Sequence, residues 1–363
     1  VKHPYITIDG IKVGPEHPPY IVAEISCNHG GDLQVLLDTI SEAKEVGCDA
    51  VKIQTYEAED LTIRSTLSDF SIDSKKWGYD TLFDLYEASQ TPYEWHFDIF
   101  ACAKSCGITL FSTPFSLRGV ELLKTLDAPA YKIASMELNY PDLLEAVGKT
   151  RKPVILSTGL ASMEDIHEAV NLVTDAAYGT QYHNGYTPEI AILHCISDYP
   201  TTYDKANTRR IRNIRRALDN PNIVYGLSDH TVDSSIPAIT AIAQGASILE
   251  KHFMLPGTDS PDKHFSLLPD EMRSFINDCH TAWLSLGNGD INQTKSPSKA
   301  FERSIYAVKD IPEGQNLTPD NIAIIRPGFG MAPSNIDTLL KKGAFATKNI
   351  SRGEPITYGN VII

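Results

Sequence analysis

Residues 50–55, Ala50-Val51-Lys52-Ile53-Gln54-Thr55, form a short run of apolar residues interrupted by a lysine, and Ala130-Tyr131-Lys132-Ile133-Ala134 repeats the arrangement further along the chain. Six more apolar runs complete the series: Tyr20 to Ile25, Ile108 to Ser112, Val154 to Ser157, Ile190 to Cys195, Ile223 to Leu227 and Ser247 to Lys251. Between them lie segments with the period of helices packed on a sheet, such as Leu33, Leu36, Leu37, Ile40 and Ala43 within Leu33 to Val46. Eight short strands alternating with helices predict an α/β protein with a closed (β/α)8 TIM barrel over residues 1–287. Strand counting alone leaves an open doubly wound sheet as the alternative. That alternative lacks its usual fingerprint, because no GxGxxG follows a strand and no GxxxxGK[ST] is present. Asp9-Gly10, flanked by alternating residues, reads as a hairpin ahead of the barrel. Thr91-Pro92-Tyr93-Glu94 and Ser162 to Asp165 read as helix N-caps.

One connection, Tyr56 to Gln90, is too long for a plain strand-to-helix loop and holds Trp77, Tyr79 and a helical stretch, Leu82 to Ala88. It is expected either to cover the barrel mouth as a lid or to serve as a packing insertion. After Leu286 the chain becomes polar and turn-rich, so residues 288–302 read as a linker and 303–363 as a small β-rich domain. Within that domain the pattern starting at Ala307, with Lys309, Ile311, Gly314, Thr318 and Asn321, recurs 39 residues on at Ala346, Lys348, Ile350, Gly353, Thr357 and Asn360. The echo predicts pseudo-twofold symmetry. A module of that size is marginal alone and is expected to dock on the barrel or on a partner subunit.

A net charge of −14 argues against binding to nucleic acid or an acidic membrane, both of which need a broad positive field. An anionic small substrate would instead need a local basic pocket. The six cysteines are scattered through apolar stretches without a CxxC spacing, and are read as reduced and mostly buried. With no signal-like start and no run long enough to span a membrane, the expected location is cytoplasmic.

In a barrel of this kind the C-terminal ends of the strands build the active face. Every predicted strand ends there in polar residues: Glu24; Lys52 and Gln54; Ser112 and Thr113; Lys132, Ser135 and Glu137; Ser157 and Thr158; Ser197 and Tyr199; Ser228, Asp229 and His230; and His252. Lys52 and Lys132 sit inside apolar runs, where an unpaired ammonium is costly. With Thr113, Ser135 and Ser157 they could clamp a phosphate or carboxylate; alternatively they form internal ion pairs with Glu24 or Glu137, or one is a Schiff-base nucleophile. His230 and His252 end neighbouring strands and could share a divalent cation with open positions, a pattern unlike the closed four-ligand set of structural zinc. His29 and His264 have weaker claims, and His194 reads as core.

At Ala23-Glu24-Ile25 to Asn28-His29, Val51 to Thr55, Phe111-Ser112-Thr113-Pro114-Phe115, Ala130 to Ser135, Leu156-Ser157-Thr158-Gly159, Gly226 to Thr231, Glu250-Lys251-His252-Phe253 and Arg326-Pro327-Gly328, the chain resembles the sialic acid synthase family. The stretch Leu82 to His96 and Ser197, where sialic acid synthases have asparagine, bring it nearest to the pseudaminic acid synthase branch. The terminal module is similar to antifreeze-like (SAF) domains. The resemblance implies an enzyme that condenses phosphoenolpyruvate with an N-acetylated amino sugar and releases phosphate. It also implies a divalent metal, usually manganese, on His230 and His252. Phosphoenolpyruvate is then expected at Lys52, Lys132, Ser135, Ser157 and Ser228, with Thr113 and Ser197 counted in the same set. The sugar is expected among Gln54, Tyr199 and Asp262, with Arg326 reaching in from the partner of a domain-swapped homodimer. Glu24 and Glu137 are the candidate bases. Ser260-Pro261-Asp262 replaces the glycine-proline-aspartate of the family, a departure in a loop expected to touch the sugar.

Overall fold

The computed structural model describes residues 4–179, 189–232, 234–289 and 298–363, and the chain divides into two units, Val1–Gly287 and Asn288–Ile363. The first unit opens with a hairpin, β1 (Ile6–Ile8) and β2 (Ile11–Val13), turning at Asp9-Gly10. Eight strands follow: β3 (Tyr20–Glu24), β4 (Ala50–Thr55), β5 (Thr109–Pro114), β6 (Tyr131–Ile133), β7 (Val154–Ser157), β8 (Ile190–His194), β9 (Val224–Asp229) and β10 (Ile248–His252). They pair in parallel in chain order, and β10 closes on β3, so the barrel is closed and the open sheet is excluded.

The helices of this unit are α1 (Leu33–Val46), α2 (Ala58–Leu61), α3 (Ser74–Trp77), α4 (Leu82–Ser89), α5 (His96–Cys106), α6 (Leu117–Thr125), α7 (Pro141–Gly148), α8 (Met163–Tyr178), α9 (Arg209–Leu218), α10 (Ile236–Ala243) and α11 (Pro269–Leu286). Ser162 makes the expected capping box with Asp165 at the start of α8. Thr91 makes no such cap: its Oγ1 turns to His29 Nε2 at 3.5 Å, and Pro92 leads into a single 3-10 turn, Tyr93–Trp95, before α5.

Two apolar layers separate by strand alternation. Outward-facing residues such as Ile21, Val51, Ile53 and Leu249 pack under the helices, while Tyr20, Val22, Ala50, Phe111, Ile155 and Ile248 fill the barrel interior together with Ile6, Ile8 and Val13 of the hairpin. The N-terminal hairpin therefore belongs to the interior core, and the hydrophobic driving force plugs one end of the barrel. At the other end the interior turns polar. β5 and β9 extend two residues beyond the apolar runs that marked them, to Pro114 and Asp229, because backbone pairing continues where the side chains have already entered the polar mouth.

The second unit has β11 (Ser304–Ala307) with β12 (Ile322–Ile325), α12 (Ile336–Lys341), and β13 (Phe345–Ala346) with β14 (Val361–Ile362), around its own core that includes Ile305, Ile311, Leu339, Ile350 and Ile356. The sequence echo is realised as exchanged bonds: Gly314 N–H to Ala346 O at 2.8 Å is matched by Gly353 N–H to Ala307 O at 2.8 Å. Ile311 and Ile350 donate to each other on the local axis. Asn321 and Asn360 make equivalent side-chain bonds to the amides of Thr318 and Thr357. Most of the expected linker, 290–297, lies outside the described residues; Ser298 caps a 3-10 turn, Lys299–Phe301.

Candidate active site

Strand register assembles the polar mouth. Glu24 on β3 is aligned with Lys52 on β4 and with His252 on β10, and Ser228 on β9 is aligned with Glu250 on β10. These side chains line a cavity of about 430 Å³ at the C-terminal end of the barrel, together with Gln54, Thr113, Lys132, Ser135, Glu137, Ser157, Ser197, Tyr199, His230 and Asp262. Every first-unit residue expected to hold substrate or metal or to act as base is thus brought to one cavity, whereas three of the polar strand-end residues are not: Ser112 donates to Ile53 O at 3.0 Å, Thr158 donates to Leu193 O at 3.2 Å, and Asp229 pairs with Lys251. Arg326 belongs to the second unit, where it is exposed.

The two buried lysines are not equivalent. Lys52 forms an ion pair with Glu24, donates to Thr113 Oγ1 at 3.3 Å and lies 3.8 Å from Glu250 Oε1. Burial pulls its pKa down, but Glu24 and Glu250 outweigh that effect and leave it raised. Among the described residues the one ion-pair contact of Lys132 is with Glu250 Oε2 at 3.8 Å, and burial leaves its pKa lowered. The internal ion pair considered from sequence thus holds for Lys52 with Glu24. Lys132 is the under-compensated cation, suited to an incoming anion. Among the described residues Ser157 Oγ and Ser197 Oγ are buried with no hydrogen-bond partner, which leaves two further neutral groups for an oxyanion. Ser135 Oγ accepts from Gly159 N at 2.9 Å and lies 3.0 Å from Cys195 Sγ. Glycine at 159 leaves room for this cluster, since a Cβ would come within 2.3 Å of Ser197 Oγ and 2.8 Å of Cys195 Sγ and push those side chains aside.

Glu250 escaped the sequence reading, although its signal was present: alternation on β10 puts residue 250 on the same face as His252. It accepts from Ser228 Oγ at 2.9 Å, and although burial alone would raise its carboxyl, Lys132 and Lys52 hold it ionised. Glu137 is the opposite case. Burial raises it to about 7, with Lys132 only partly opposing, and its Oε2 is buried without a partner.

His230 directs Nδ1 at Ile196 O, 2.9 Å away, so Nδ1 carries the proton and Nε2 is left as the free lone pair, 3.5 Å from Ser228 Oγ. Its ring centroid is 5.4 Å from that of His252 and 4.3 Å from that of Tyr199. His252 Nδ1 lies 3.2 Å from Asp262 Oδ2, but off the line of a hydrogen bond. Among the described residues no group of three or more His, Cys, Asp or Glu side chains has the geometry of a metal cluster. The imidazoles of His230 and His252 are the side chains that would hold a divalent cation here, with positions left for oxygen donors, a set that suits a manganese-type ion. Elsewhere, His194 is buried and bonded to Ala206 O at 2.9 Å, as expected of core, and His29 is buried edge-on to Trp95. His264 is exposed.

Residues 39–291 match the model of the NeuB family, and residues 302–362 match that of the SAF domain. The chain is 38% identical to pseudaminic acid synthase of Campylobacter jejuni (serotype O:2), over 94% of this chain and 96% of that protein. It is 35% identical to pseudaminic acid synthase of Helicobacter pylori, over 95% and 98%. The crystal structure of N-acetylneuraminic acid (sialic acid) synthetase from Leptospira borgpetersenii in complex with citrate superposes with a TM-score of 0.67 at 28% identity, covering 80% of this chain and 92% of that one. The closed barrel, its charged mouth and these matches lead to one conclusion: the chain belongs to the NeuB family and ends in a SAF domain.

Proposed function

We propose that this protein is a pseudaminic acid synthase, condensing phosphoenolpyruvate with 2,4-diacetamido-2,4,6-trideoxy-L-altrose to give a nonulosonic acid and inorganic phosphate. The observation that carries the reading is the division of labour in the mouth: a cation with too little anionic compensation, Lys132, beside unpartnered hydroxyls, and a carboxyl tuned to neutrality, Glu137, in one cavity. The identities of 35–38% to pseudaminic acid synthases support the choice of acceptor.

Lys132 and Lys52, with Thr113, Ser135, Ser157, Ser197 and Ser228, hold the phosphate and carboxylate of phosphoenolpyruvate. C3 of phosphoenolpyruvate attacks the aldehyde carbon of the open-chain sugar, which lies among Gln54, Tyr199 and Asp262, leaving an oxocarbenium at C2 and a negative charge on the sugar oxygen, which takes up a proton to become a hydroxyl. Water adds at C2, and phosphate leaves by C–O cleavage. Glu137 takes the proton from that water, because its free Oε2 and a pKa near 7 match a base working at neutral pH, whereas Glu24 is engaged with Lys52 and Ser26. A divalent cation held by His230 and His252, when bound, supplies Lewis-acid stabilisation of the negative charge that develops on the sugar oxygen. His230 is prepared for that role by its bond to Ile196 O, which fixes the tautomer.

The test is phosphate release from phosphoenolpyruvate with manganese, comparing the altrose derivative, N-acetylmannosamine and no sugar. Release only with the altrose derivative is expected. Release with N-acetylmannosamine instead would move the acceptor to the sialic acid branch, and none with either would overturn the reading.

A further inference from the structure

The long connection 56–90 lines the mouth: it contributes Leu61, Ile72, Lys76, Trp77 and one whole face of α4 to the cavity. That face is Leu82, Leu85, Tyr86 and Ser89, spaced i, i+3, i+4, i+7, the stripe that a barrel helix would ordinarily press against a strand. The other side of α4 is anchored: Phe83 is buried beneath the Arg64 guanidinium at 4.0 Å, and Arg64 also pairs with Asp84 at 3.3 Å and Glu87 at 2.9 Å. Tyr86 packs edge-on to Tyr56, which packs in turn on Phe115, so the stripe is held against the barrel rim. One cavity therefore combines a floor of charge, from the strand ends, with a largely apolar wall, from α4 and its neighbours, in which Lys76 is the charged member. Apolar surface in such a wall is stabilised only when a ligand covers it.

Resting on the reaction proposed above, we infer that this wall sets acceptor specificity: Leu82 and Leu85 receive the end of the sugar remote from its aldehyde, and select a sugar bearing a methyl group there over one bearing a hydroxymethyl. The charged floor takes the groups that react, which leaves the distal end of the acceptor for the wall. A hydroxyl placed against the two leucines loses its water and gains no hydrogen bond, a penalty that in an apolar pocket reaches roughly 10- to 100-fold in kcat/KM. Ser89 Oγ, one turn beyond Leu85, is buried without a partner and is the group on this stripe suited to an acetamido substituent.

The experiment measures phosphate release with manganese, phosphoenolpyruvate and two 2,4-diacetamido acceptors that differ only in CH3 or CH2OH at C6, for the wild type, Leu82→Asn, Leu85→Asn and Leu85→Met. The wild type is expected to favour the 6-deoxy acceptor by roughly 10- to 100-fold, mostly through KM. Either asparagine variant should bring the ratio toward one while the KM for phosphoenolpyruvate stays as in the wild type, and Leu85→Met should keep the preference. A wild-type ratio near one, or asparagine variants that release phosphate with the preference intact, overturns this inference and leaves the proposed reaction standing. Absence of release by the wild type with both acceptors overturns the reaction and the inference together.

Discussion

The two lysines that look alike in sequence are expected to behave differently when removed. Lys52→Met strands Glu24, 1% exposed, without its cation, and should cost about 3–5 kcal/mol in urea unfolding. Lys132→Met removes a charge whose nearest carboxylate, Glu250, is 3.8 Å away and lies as close to Lys52, so it should cost less stability than Lys52→Met in the same assay. The KM for phosphoenolpyruvate should nevertheless rise roughly 10- to 100-fold, the worth of a charge-assisted contact. Glu137 supplies a pH test with two readouts. As a base it works ionised, so kcat should rise with pH through about 7 in the wild type, and Glu137→Gln should lower it by roughly 100-fold or more and remove that limb. The effect on stability has the opposite sign. A carboxyl raised by burial favours the protonated fold, so its contribution is lost as pH climbs from the unfolded carboxylate range through about 7. Glu137→Gln should therefore melt above the wild type at pH 8, and the gap should close below about pH 4. The sequence marked Glu137 as a polar strand-end residue and, beside Glu24, as one of two candidate bases, with nothing to choose between them. Its shifted pKa arises from neighbours that converge in space, and no local pattern encodes that.

At the scale of elements, β9 and β10 matter most, because each carries or leads to one of the two facing histidines. Alternation that turns Ser228 and Glu250 inward turns Asp229 and Lys251 outward, beneath the helices, where register makes them partners. Lys251 Nζ reaches Asp229 Oδ2 at 2.9 Å and is fully buried, while Asp229 Oδ1 accepts from the amide and hydroxyl of Thr231. The pair fastens the two strands together one residue before each histidine. Lys251→Met should leave Asp229 buried and unpaired and lower stability by about 3–5 kcal/mol in chemical denaturation, more than the loss of any exposed ion pair. Element edges were legible to within about two residues because apolar runs and caps are local signals. The Thr91 cap was misread because Thr91 found a tertiary partner, His29, that competes with the local one.

Across the whole molecule, the cores of the two units share no residue: the barrel clusters lie within 1–287 and the terminal cluster begins at Ile305. A chain ending at Gly287 should accordingly retain a cooperative thermal transition by circular dichroism. The sequence by itself determined the alternation of eight strands with helices, the change of character after Leu286, the twofold echo of the terminal unit and the set of polar strand ends, because each follows from periodicity, turn chemistry and the direction of strands in a parallel sheet. Only the tertiary structure decided that the sheet closes, that Glu250 joins the mouth between Lys52 and Lys132, that Glu24 is occupied while Glu137 is free, and that α4 turns its apolar stripe toward the cavity. The physical reason is range. Periodicity is written in neighbours a few residues apart, whereas ion pairing, desolvation and the choice of what a helix face covers depend on groups brought together from distant parts of the chain.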